Sequence, residues 1–313
     1  MVKRRYSAEE EMKLLFNYLI FPGFLFSAVI GLFSCWIDRK VTARIQWRVG
    51  PPWYQNFVDI VKLLGKETIM PEGARLTFLL SPFLGLLSIS LVATILGKTI
   101  QAPLESFVGD LIVVLYLLII PAIALIIGAS SSGNPLASVG ASREMKLVLA
   151  YELPFILSVI TVIIKSGGIQ IGSILNQQIS FGANIASWPG ALAFIVMIFC
   201  VQAKLGFVPF DMAEAEQEIM GGTLIEYSGL PLAIFKVTRA ILLYTLPLLL
   251  ISLFWANGLS LLSLIGKYVA ILVIIILIKN TNPRLRIDQA IRFFWGPVTL
   301  LAIIAVILAI MGW

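Results

Sequence analysis

Long apolar runs separated by polar connections make up most of the chain. A membrane-spanning α-helix requires about 20 predominantly apolar residues, and the sequence contains eight runs of that kind. These runs cover approximately residues 14–36, 76–98, 110–128, 146–166, 188–208, 229–255, 264–280 and 294–312. The pattern predicts an all-α polytopic membrane protein, in which about eight transmembrane helices form a single transmembrane domain over residues 1–313.

The composition agrees with this prediction and limits the chemistry of the chain. Hydrophobic residues make up 59% of the sequence and charged residues 13%, whereas a soluble domain carries about 25% charged residues. The chain has no histidine and two cysteines, Cys35 and Cys200. It therefore lacks the ligands usual for a haem or an iron–sulfur cluster. We expect no cofactor in this chain, and two small buried thiols.

The distribution of lysine and arginine predicts an orientation. Eight spans place both termini on one side of the membrane and the connections after spans 1, 3, 5 and 7 on the other side. These four connections carry about twice as many Lys and Arg residues as the opposite side. Because positive charge stays in the cytoplasm, we predict that these connections are cytoplasmic and that both termini are external. The basic residues Lys3, Arg4 and Arg5 argue against this orientation.

The connection after the first span, residues 37–75, is basic and too polar to cross a membrane. Pro51 and Pro52 interrupt it, and residues 53–66 then show the apolar periodicity of an amphipathic helix in the cytoplasmic interface. The apolar positions are Trp53, Phe57, Ile60, Val61 and Leu64. Simple anchoring at the membrane surface and docking of a partner are both compatible with this pattern. We refer to residues 37–75 as the first connection.

Charged residues cluster where the first connection leaves the membrane. If this stretch is helical, Arg44 and Arg48 share one face. The positive-inside rule explains part of the charge, and the remainder predicts docking onto an acidic partner surface or pairing with acids of the same chain. The candidate docking residues are Asp38, Arg39, Lys40, Arg44, Gln46 and Arg48.

The connection after the fifth span, residues 209–228, is acidic. It reads PFDMAEAEQEIMGGTLIEYS and contains no lysine or arginine. If it is helical, Asp211, Glu214 and Glu218 lie on one face, with Glu216 opposite. Carboxylates that repel one another and are poorly solvated bind protons more readily than free acids. This acidic connection, together with Glu226 at its end, is therefore a candidate entry path for protons or cations.

Two simpler interpretations of the acidic connection stay open at this point. The acids could form a solvated loop surface, or they could neutralise cations of the same chain, namely Lys204, Lys236 and Arg239 together with those of the first connection. Lys236 and Arg239 lie inside the sixth span, where an unpartnered cation is costly. Glu226 and Glu152 are the expected partners of these two cations.

Two further carboxylates belong to the fourth span. Glu144 lies at its entrance, and Glu152 lies about two turns deeper, so both can face one cavity. An ionisable residue inside a span is a candidate functional residue by default. The alternative for Glu144 is an ordinary surface ion pair with Arg143 or Lys146.

Three segments carry a family resemblance. They are IDRKVTARIQWRVGPP (37–52), GASREMKLVLAYELP (140–154) and PFDMAEAEQEIMGGTLIEYSG (209–229). They resemble signature segments of the H-type membrane subunit of respiratory complex I and its relatives, and the likeness extends over the whole chain. Asp38 in place of the usual Glu, the form of the acidic connection and NPLASVGASRE are more similar to membrane-bound nickel–iron hydrogenases and their sulfur-reducing relatives.

The resemblance implies a function in the cell membrane. The chain would anchor a hydrophilic redox arm on the cytoplasmic side and couple electron transfer to the translocation of H⁺ or Na⁺. Nickel–iron and iron–sulfur centres would lie in the partner subunits, and antiporter-like membrane subunits would lie alongside. Lipid is expected around the chain, and nucleic acid is not an expected partner.

The resemblance also assigns roles to individual positions. Arg39, Lys40, Arg44, Gln46 and Arg48 match the docking signature, Tyr151 and Glu152 match a Tyr-Glu pair in span 4, and the acids of residues 211–226 match the acidic loop. The alternative function is that of the quinone-binding H-type subunit in complex I itself, although the hydrogenase-like segments put a quinone site in doubt. A stand-alone cation transporter and a passive scaffold are further alternatives.

Overall fold

The computed structural model of the chain describes residues 8–74, 76–258 and 260–312, without the side chains of residues 8–11, 216 and 217. The described residues form helices and connections and contain no strand. In chain order the helices are α1 (Ala8–Leu19), α2 (Phe24–Ile45), α3 (Gln55–Leu64), α4 (Leu76–Gln101), α5 (Asp110–Leu117), α6 (Ile120–Ser130), α7 (Pro135–Ser166), α8 (Ile171–Phe181), α9 (Trp188–Lys204), α10 (Glu216–Ile219), α11 (Gly229–Phe254), α12 (Leu261–Thr281), α13 (Ile287–Phe293) and α14 (Thr299–Ile310).

The number of spans agrees with the prediction from the apolar runs. Within the described residues, seven helical segments are long and apolar enough to cross a membrane, and α9 is a shorter apolar helix that supplies the eighth. The seven segments are Met12–Ile45, Leu76–Gln101, Asp110–Ser130, Pro135–Ser166, Gly229–Phe254, Leu261–Thr281 and Ile287–Ile310. The all-α polytopic fold with about eight transmembrane helices is therefore confirmed.

The fourth span begins eleven residues before the predicted boundary, at Pro135 instead of residue 146. The side chain of Asn134 caps the helix by accepting a hydrogen bond from the Leu136 N–H at 2.8 Å, and Pro135 occupies the first helical position. Both residues are typical of helix starts. The first turns are polar, so hydropathy alone assigns them to a connection, but Glu144 lies inside α7 and is buried.

One helix, α8, was not predicted from the sequence. This short helix follows the fourth span and is fixed by a buried apolar stripe, Ile171, Ile174 and Leu175, together with buried polar contacts. The N–H of Ile171 donates to Asp110 Oδ1 at 2.9 Å, and the Gln178 side chain donates to the Ser252 carbonyl at 2.9 Å. These contacts join α8 to the start of the third span and the end of the sixth.

The sixth span, α11, lies at the centre of the bundle. Every residue from Ala240 to Phe254 is buried, as expected for a helix that is apolar on all sides. Helices α2 and α4 pack against α11, whereas α7, α9 and α14 pack against one another beside it.

The connections after spans 1, 3, 5 and 7 meet on one side of the bundle. The Ser228 hydroxyl accepts a hydrogen bond from the Ile69 N–H at 3.0 Å, and the Leu285 N–H donates to the Pro209 carbonyl at 3.1 Å. Asn134 likewise donates to Glu226 at 2.5 Å. We call this side the convergent face, and its existence agrees with two crossings between successive members of this set of connections.

The amphipathic helix predicted for residues 53–66 is α3, Gln55–Leu64. It packs against α2 through a polar contact, because the buried Asn56 side chain donates to the Leu32 carbonyl at 3.0 Å. The apolar side chains of Val58, Val61 and Leu64 are exposed. An apolar exposed side is typical of a helix that lies in the membrane interface.

Candidate functional site

The acidic connection does not form the single helix that would place Asp211, Glu214 and Glu218 on one face. It consists of 3₁₀ turns at Met212–Glu214 and Gly222–Leu224 with the short helix α10 between them. Gly221 and Gly222 have positive φ angles. The prediction of one acidic helix face is therefore wrong, because the backbone leaves the helical conformation at Ala215 and buried apolar side chains such as Met212 and Ile219 hold the segment against the bundle.

Instead, three acids of this connection each pair with an arginine from a different element. Asp211 lies 2.8 Å from an Arg284 nitrogen, and Glu218 lies 2.5 Å from Arg143. Glu214 accepts two hydrogen bonds from the Arg239 guanidinium, one of them at 2.7 Å. Arg239 therefore pairs with Glu214, and not with Glu226 or Glu152 as expected from the sequence. Pairing with the chain's own cations accounts for these acids better than a solvated loop surface does.

The remaining two acids of the acidic connection are Glu226, which has a hydrogen-bond partner, and Glu216. Glu226 accepts a hydrogen bond from the Asn134 amide and so ties the acidic connection to the start of α7. Glu216 belongs to α10, but its side chain lies outside the described residues, so its role stays a prediction.

The segment after the acids is anchored by Tyr227. Its ring stacks on Phe78 with 4.1 Å between the ring centroids, and its hydroxyl donates to the Phe78 carbonyl at 3.0 Å. Burial raises the pKa of Tyr227 to about 12, against the opposing effect of its hydrogen bond with Ser81. The tyrosine is therefore a neutral structural anchor at physiological pH.

Glu152 forms a buried ion pair between the fourth and fifth spans. Lys204 donates to Glu152 Oε2 at 2.8 Å, and the Lys204 side chain is 2% exposed. The ammonium group also lies 4.9 Å from the ring centre of Tyr151 and 4.5 Å from that of Phe155. The second oxygen of Glu152 is buried without a hydrogen-bond partner. Desolvation of such a pair is costly unless its geometry is maintained.

Glu144 is the exception among the described carboxylates of the fourth span and the cleft. It is 7% exposed, and within the described part of the chain no Lys or Arg nitrogen lies within 4.0 Å of it. The predicted surface pair with Arg143 or Lys146 does not form, because Arg143 binds Glu218 instead. Among the described residues, Glu144 is thus a buried acid that forms no ion pair.

Glu144 lines a cleft with a cavity volume of about 80 Å³. One wall is apolar and comes from Leu118, α6 and α11. The other wall carries ionisable side chains, and these are Glu144, Lys204, Asp211, Glu214, Lys236 and Arg239. Glu152 is connected to this cleft through its partner Lys204. The structure therefore brings the acids of the fourth span and of the acidic connection to one place.

Asp211 combines an ion pair with partial burial. Its Oδ1 atom is buried without a hydrogen-bond partner. Burial raises the pKa of Asp211 above the ordinary value of an aspartate, although Arg284 opposes the increase. This acid therefore binds a proton more readily than a solvated aspartate does.

The candidate docking residues separate into two groups. Asp38 is buried and lies 2.7 Å from the Lys279 ammonium, so its carboxylate is not part of an exposed docking surface. The reason is that α2 continues past the predicted end of the first span and carries Asp38 against α12. Arg39 holds α3, because it donates to Asn56 Oδ1 at 2.6 Å and lies 3.3 Å from Asp59.

The other docking candidates lie farther along the first connection. Lys40 is partly buried, whereas Arg44, Gln46 and Arg48 are exposed. Arg44 and Arg48 do not share a helix face, because α2 ends at Ile45. The exposed residues therefore form a loop surface rather than a helical stripe.

Lys279 and Arg284 were not predicted from the sequence as partners of acidic residues. Lys279 also lies 4.6 Å from the ring centre of Phe207. Both cations belong to the seventh span and its connection, far from Asp38 and Asp211 in sequence. No spacing rule connects such distant positions, and only the need of each buried carboxylate for a counter-charge indicated that partners exist.

Metal ligands are not grouped in the described residues. No three His, Cys, Asp or Glu side chains lie close enough together there to hold a metal ion. The nickel–iron and iron–sulfur centres expected in partner subunits stay a prediction.

Comparison with known proteins identifies relatives over nearly the whole chain. The family model described as NADH dehydrogenase matches residues 17–310. The H-type subunit of the NADH-quinone oxidoreductase from Thermomicrobium roseum is 32% identical, with 93% of this chain and 94% of that protein covered. Formate hydrogenlyase subunit 4 of Escherichia coli is also 32% identical, with 89% and 94% covered.

A solved structure shows the same fold. The matching chain belongs to the membrane-bound sulfane sulfur reductase, described as an archaeal respiratory membrane complex. The two chains superpose with a TM-score of 0.81 at 29% sequence identity, and the match covers 95% of this chain and 99% of that one. The resemblance found in the three sequence segments is thereby confirmed, and the chain belongs to the NADH dehydrogenase family, which includes the H-type membrane subunit of complex I.

Proposed function

We propose that this chain is the membrane subunit of a complex-I-related oxidoreductase that anchors a hydrophilic redox arm and couples electron transfer to the translocation of H⁺ or Na⁺. The observation that carries the proposal is the charged wall of the cleft. On this wall the buried Glu144 has no cation as its partner within the described residues, and it lies next to acids and bases that are paired with one another. The relatives support it, because their names describe a quinone oxidoreductase, a formate hydrogenlyase and a sulfur reductase.

The coupling follows from the balance of charge in this cleft. Glu214–Arg239 and Glu152–Lys204 are each neutral as a pair, and Glu144 faces the same space. In a poorly solvated site, adding or removing one charge changes the energies of all neighbouring charges. A change of charge or conformation in the arm would thus alter the affinity of Glu144 for a proton or cation, and the ion would move between it and the acidic connection.

The proposed orientation places the convergent face in the cytoplasm and both termini outside the cell membrane. The excess of Lys and Arg in the connections of this face supports it. The hydrophilic subunits, with nickel–iron and iron–sulfur centres, would bind this face. Antiporter-like membrane subunits and lipid would cover the exposed apolar sides of the bundle.

The quinone-binding alternative requires a chamber between α3 and the acidic connection. The cleft is lined instead by residues of the third, fourth and sixth spans, by the end of the fifth span and by the acidic connection. A stoichiometric quinone extracted with the purified complex would favour the alternative. Nickel in a co-purified subunit would favour a hydrogenase-like or related complex.

The test of the coupling role uses the complex reconstituted in vesicles. Glu152→Gln leaves Lys204 buried without a counter-charge, so we expect it to impair ion-gradient formation more than assembly. Because that variant can also lose stability, a second complex carries Glu152→Gln together with Lys204→Gln, which restores neutrality without an ionisable pair. Normal ion transport by the assembled double variant would indicate a passive scaffold. Repeating the assay without sodium distinguishes H⁺ from Na⁺.

A further inference from the structure

The loop that directly follows α2, which we call the tip of the first connection, holds a tryptophan in an unfavourable backbone conformation. Trp47 follows the end of α2 and has a φ angle of 59°, which is uncommon for a residue other than glycine, asparagine or aspartate. Its side chain is almost entirely in solvent, with a relative exposure of 97%. A conformation that costs free energy and exposes a large aromatic ring is maintained only where the surrounding structure imposes it.

The surroundings of Trp47 hold the tip in a fixed shape. The N–H of Arg48 donates to the Ala43 carbonyl at 2.7 Å, which closes the loop after α2. The indole N–H of Trp36 donates to the Pro51 carbonyl at 3.2 Å and fastens the returning segment of the loop to α2. These contacts fix the backbone of the tip on both sides of Trp47.

The position of the tip relative to α3 argues against lipid as its partner. Helix α3 contacts α2 between Leu32 and Arg39, and a position of α3 in the membrane interface would set the level of the membrane surface at this contact. From Arg39, α2 continues for six residues to Ile45, which at 1.5 Å per residue is about 9 Å farther into the aqueous phase. Trp47 lies beyond that point.

The charges beside Trp47 indicate the chemistry of its partner. Arg44 and Arg48 flank it and are exposed. Within the described residues neither guanidinium lies within 4.0 Å of a carboxylate. Tryptophan and arginine are the residue types that most often dominate the energy of protein interfaces.

We infer that Trp47 is the anchor residue of the arm interface: its ring inserts into an apolar pocket on a water-soluble subunit, and carboxylates at the rim of that pocket bind Arg44 and Arg48. This inference rests on the proposed function, because it requires a hydrophilic arm on the convergent face. It adds the residue that carries the contact and the chemistry of the surface that receives it.

A cross-linking experiment tests the inference in the assembled complex. Trp47 is replaced by the photoreactive amino acid benzoylphenylalanine, the complex is irradiated, and the linked peptides are identified by mass spectrometry. We expect a link to one segment of a water-soluble subunit that contains apolar residues and Asp or Glu. Links confined to lipid, to a membrane subunit or to this chain would overturn the inference.

A pair of variants measures the energetic contribution of the ring. Trp47→Gly removes the ring and accepts the positive φ angle, so the fold of the chain is retained. Val49→Ala is the control, because Val49 is an exposed apolar residue of the same tip. We expect the arm to be retained roughly 30-fold more weakly in the first variant, the effect of a strong interface residue, and unchanged in the second. Equal retention in both would overturn the inference.

Two outcomes separate this inference from the proposed function. If no hydrophilic subunit co-purifies with the wild-type chain, both fail. If an arm co-purifies but position 47 links elsewhere and Trp47→Gly retains the arm, only the anchor role fails. Replacing Arg44 and Arg48 together by Gln should reduce the salt dependence of arm binding, and an unchanged salt dependence would refute the acidic rim.

Discussion

Glu144 differs from the other described carboxylates of the cleft because it has no cation beside it. Asp211 and Glu214 are each held by an arginine, and Glu152 is held by a lysine. A paired carboxylate must break an ion pair before it can accept a proton, whereas Glu144 only has to exchange a proton or cation with the cleft. One acid of the site, Glu144, can therefore accept a proton or cation directly, and the other acids are ion-paired charges around it.

At the residue scale, Asp211 should make the stability of the chain depend on pH. Burial raises its pKa in the folded state above the ordinary value of 3.8. Ionisation is thus harder in the folded than in the unfolded chain, and stability is lost as the pH rises from about 3.8 through the raised pKa. We expect Asp211→Asn to show a smaller loss over that interval when unfolding temperatures are measured across pH. A parallel pH profile in both proteins would refute the raised pKa.

The individual charged residues were predictable from the sequence, but which cation pairs with which acid was not. An acid in an apolar chain stands out in composition alone, which identified Glu144, Glu152 and Asp211. The pairing of Asp211 with Arg284 joins the fifth and seventh connections, and it depends on how distant helices pack. The sequence thus indicates which groups are costly to bury, whereas the tertiary fold decides which cation offsets each of them.

At the scale of elements, the acidic connection takes its shape from close backbone packing against α7. A Cβ atom added at Gly140 would lie 2.8 Å from the Thr223 nitrogen and 3.0 Å from the Ala213 carbonyl oxygen. Both are backbone atoms of the turns that carry the acids. Gly140 therefore lets the connection lie against the fourth span, which positions Glu214 opposite Arg239.

We predict that Gly140→Ala displaces the acidic connection and destabilises the chain by about 1–3 kcal/mol, the usual cost of overpacking. Thermal unfolding of the purified complex measures the stability, and the ion-transport assay reports the displacement. Gly266→Ala in α12 is the control, because a Cβ there would meet no atom within 4 Å. An unfolding temperature for Gly140→Ala that equals that of the control would contradict the close packing at Gly140.

A helix was predictable from the sequence where a long apolar run makes up most of it. Long spans such as α4 and α11 follow from their composition. The start of α7 was placed too late because its first turns are polar. Helix α8 was missed because its 11 residues are too few for a span and its polar contacts, those of Asp110 and Gln178, are with distant elements. Amphipathic and polar helices need tertiary partners, which one sequence does not display.

At the scale of the whole molecule, four connections form one face that carries the acids, the arginines and the tip of the first connection. The described contacts between residues 69 and 228 and between 209 and 285 hold this face together. A rigid face of this kind is suited to receive a hydrophilic arm, while the opposite face carries α8 and the short connections.

Cysteine labelling measures the orientation of this face. Glu72→Cys places an exposed thiol on the convergent face, and Leu104→Cys places one on the opposite face. We expect a membrane-impermeant maleimide to label position 72 only in inside-out vesicles and position 104 only in right-side-out vesicles. The unmodified chain, with Cys35 and Cys200, gives the background. The reverse labelling pattern would show that the termini are cytoplasmic.

The most direct test of the coupling role is the number of ions moved per electron transferred by the reconstituted complex when Glu144 is replaced by Gln. Glu105→Gln is the control, because Glu105 is exposed and belongs to a connection on the opposite face. We predict that the Glu144→Gln complex assembles and transfers electrons when the gradient is dissipated, while its ion-to-electron ratio falls towards zero and that of Glu105→Gln stays at the wild-type value. A wild-type ratio in the Glu144→Gln complex would contradict the role of Glu144 as the acceptor of the transported ion.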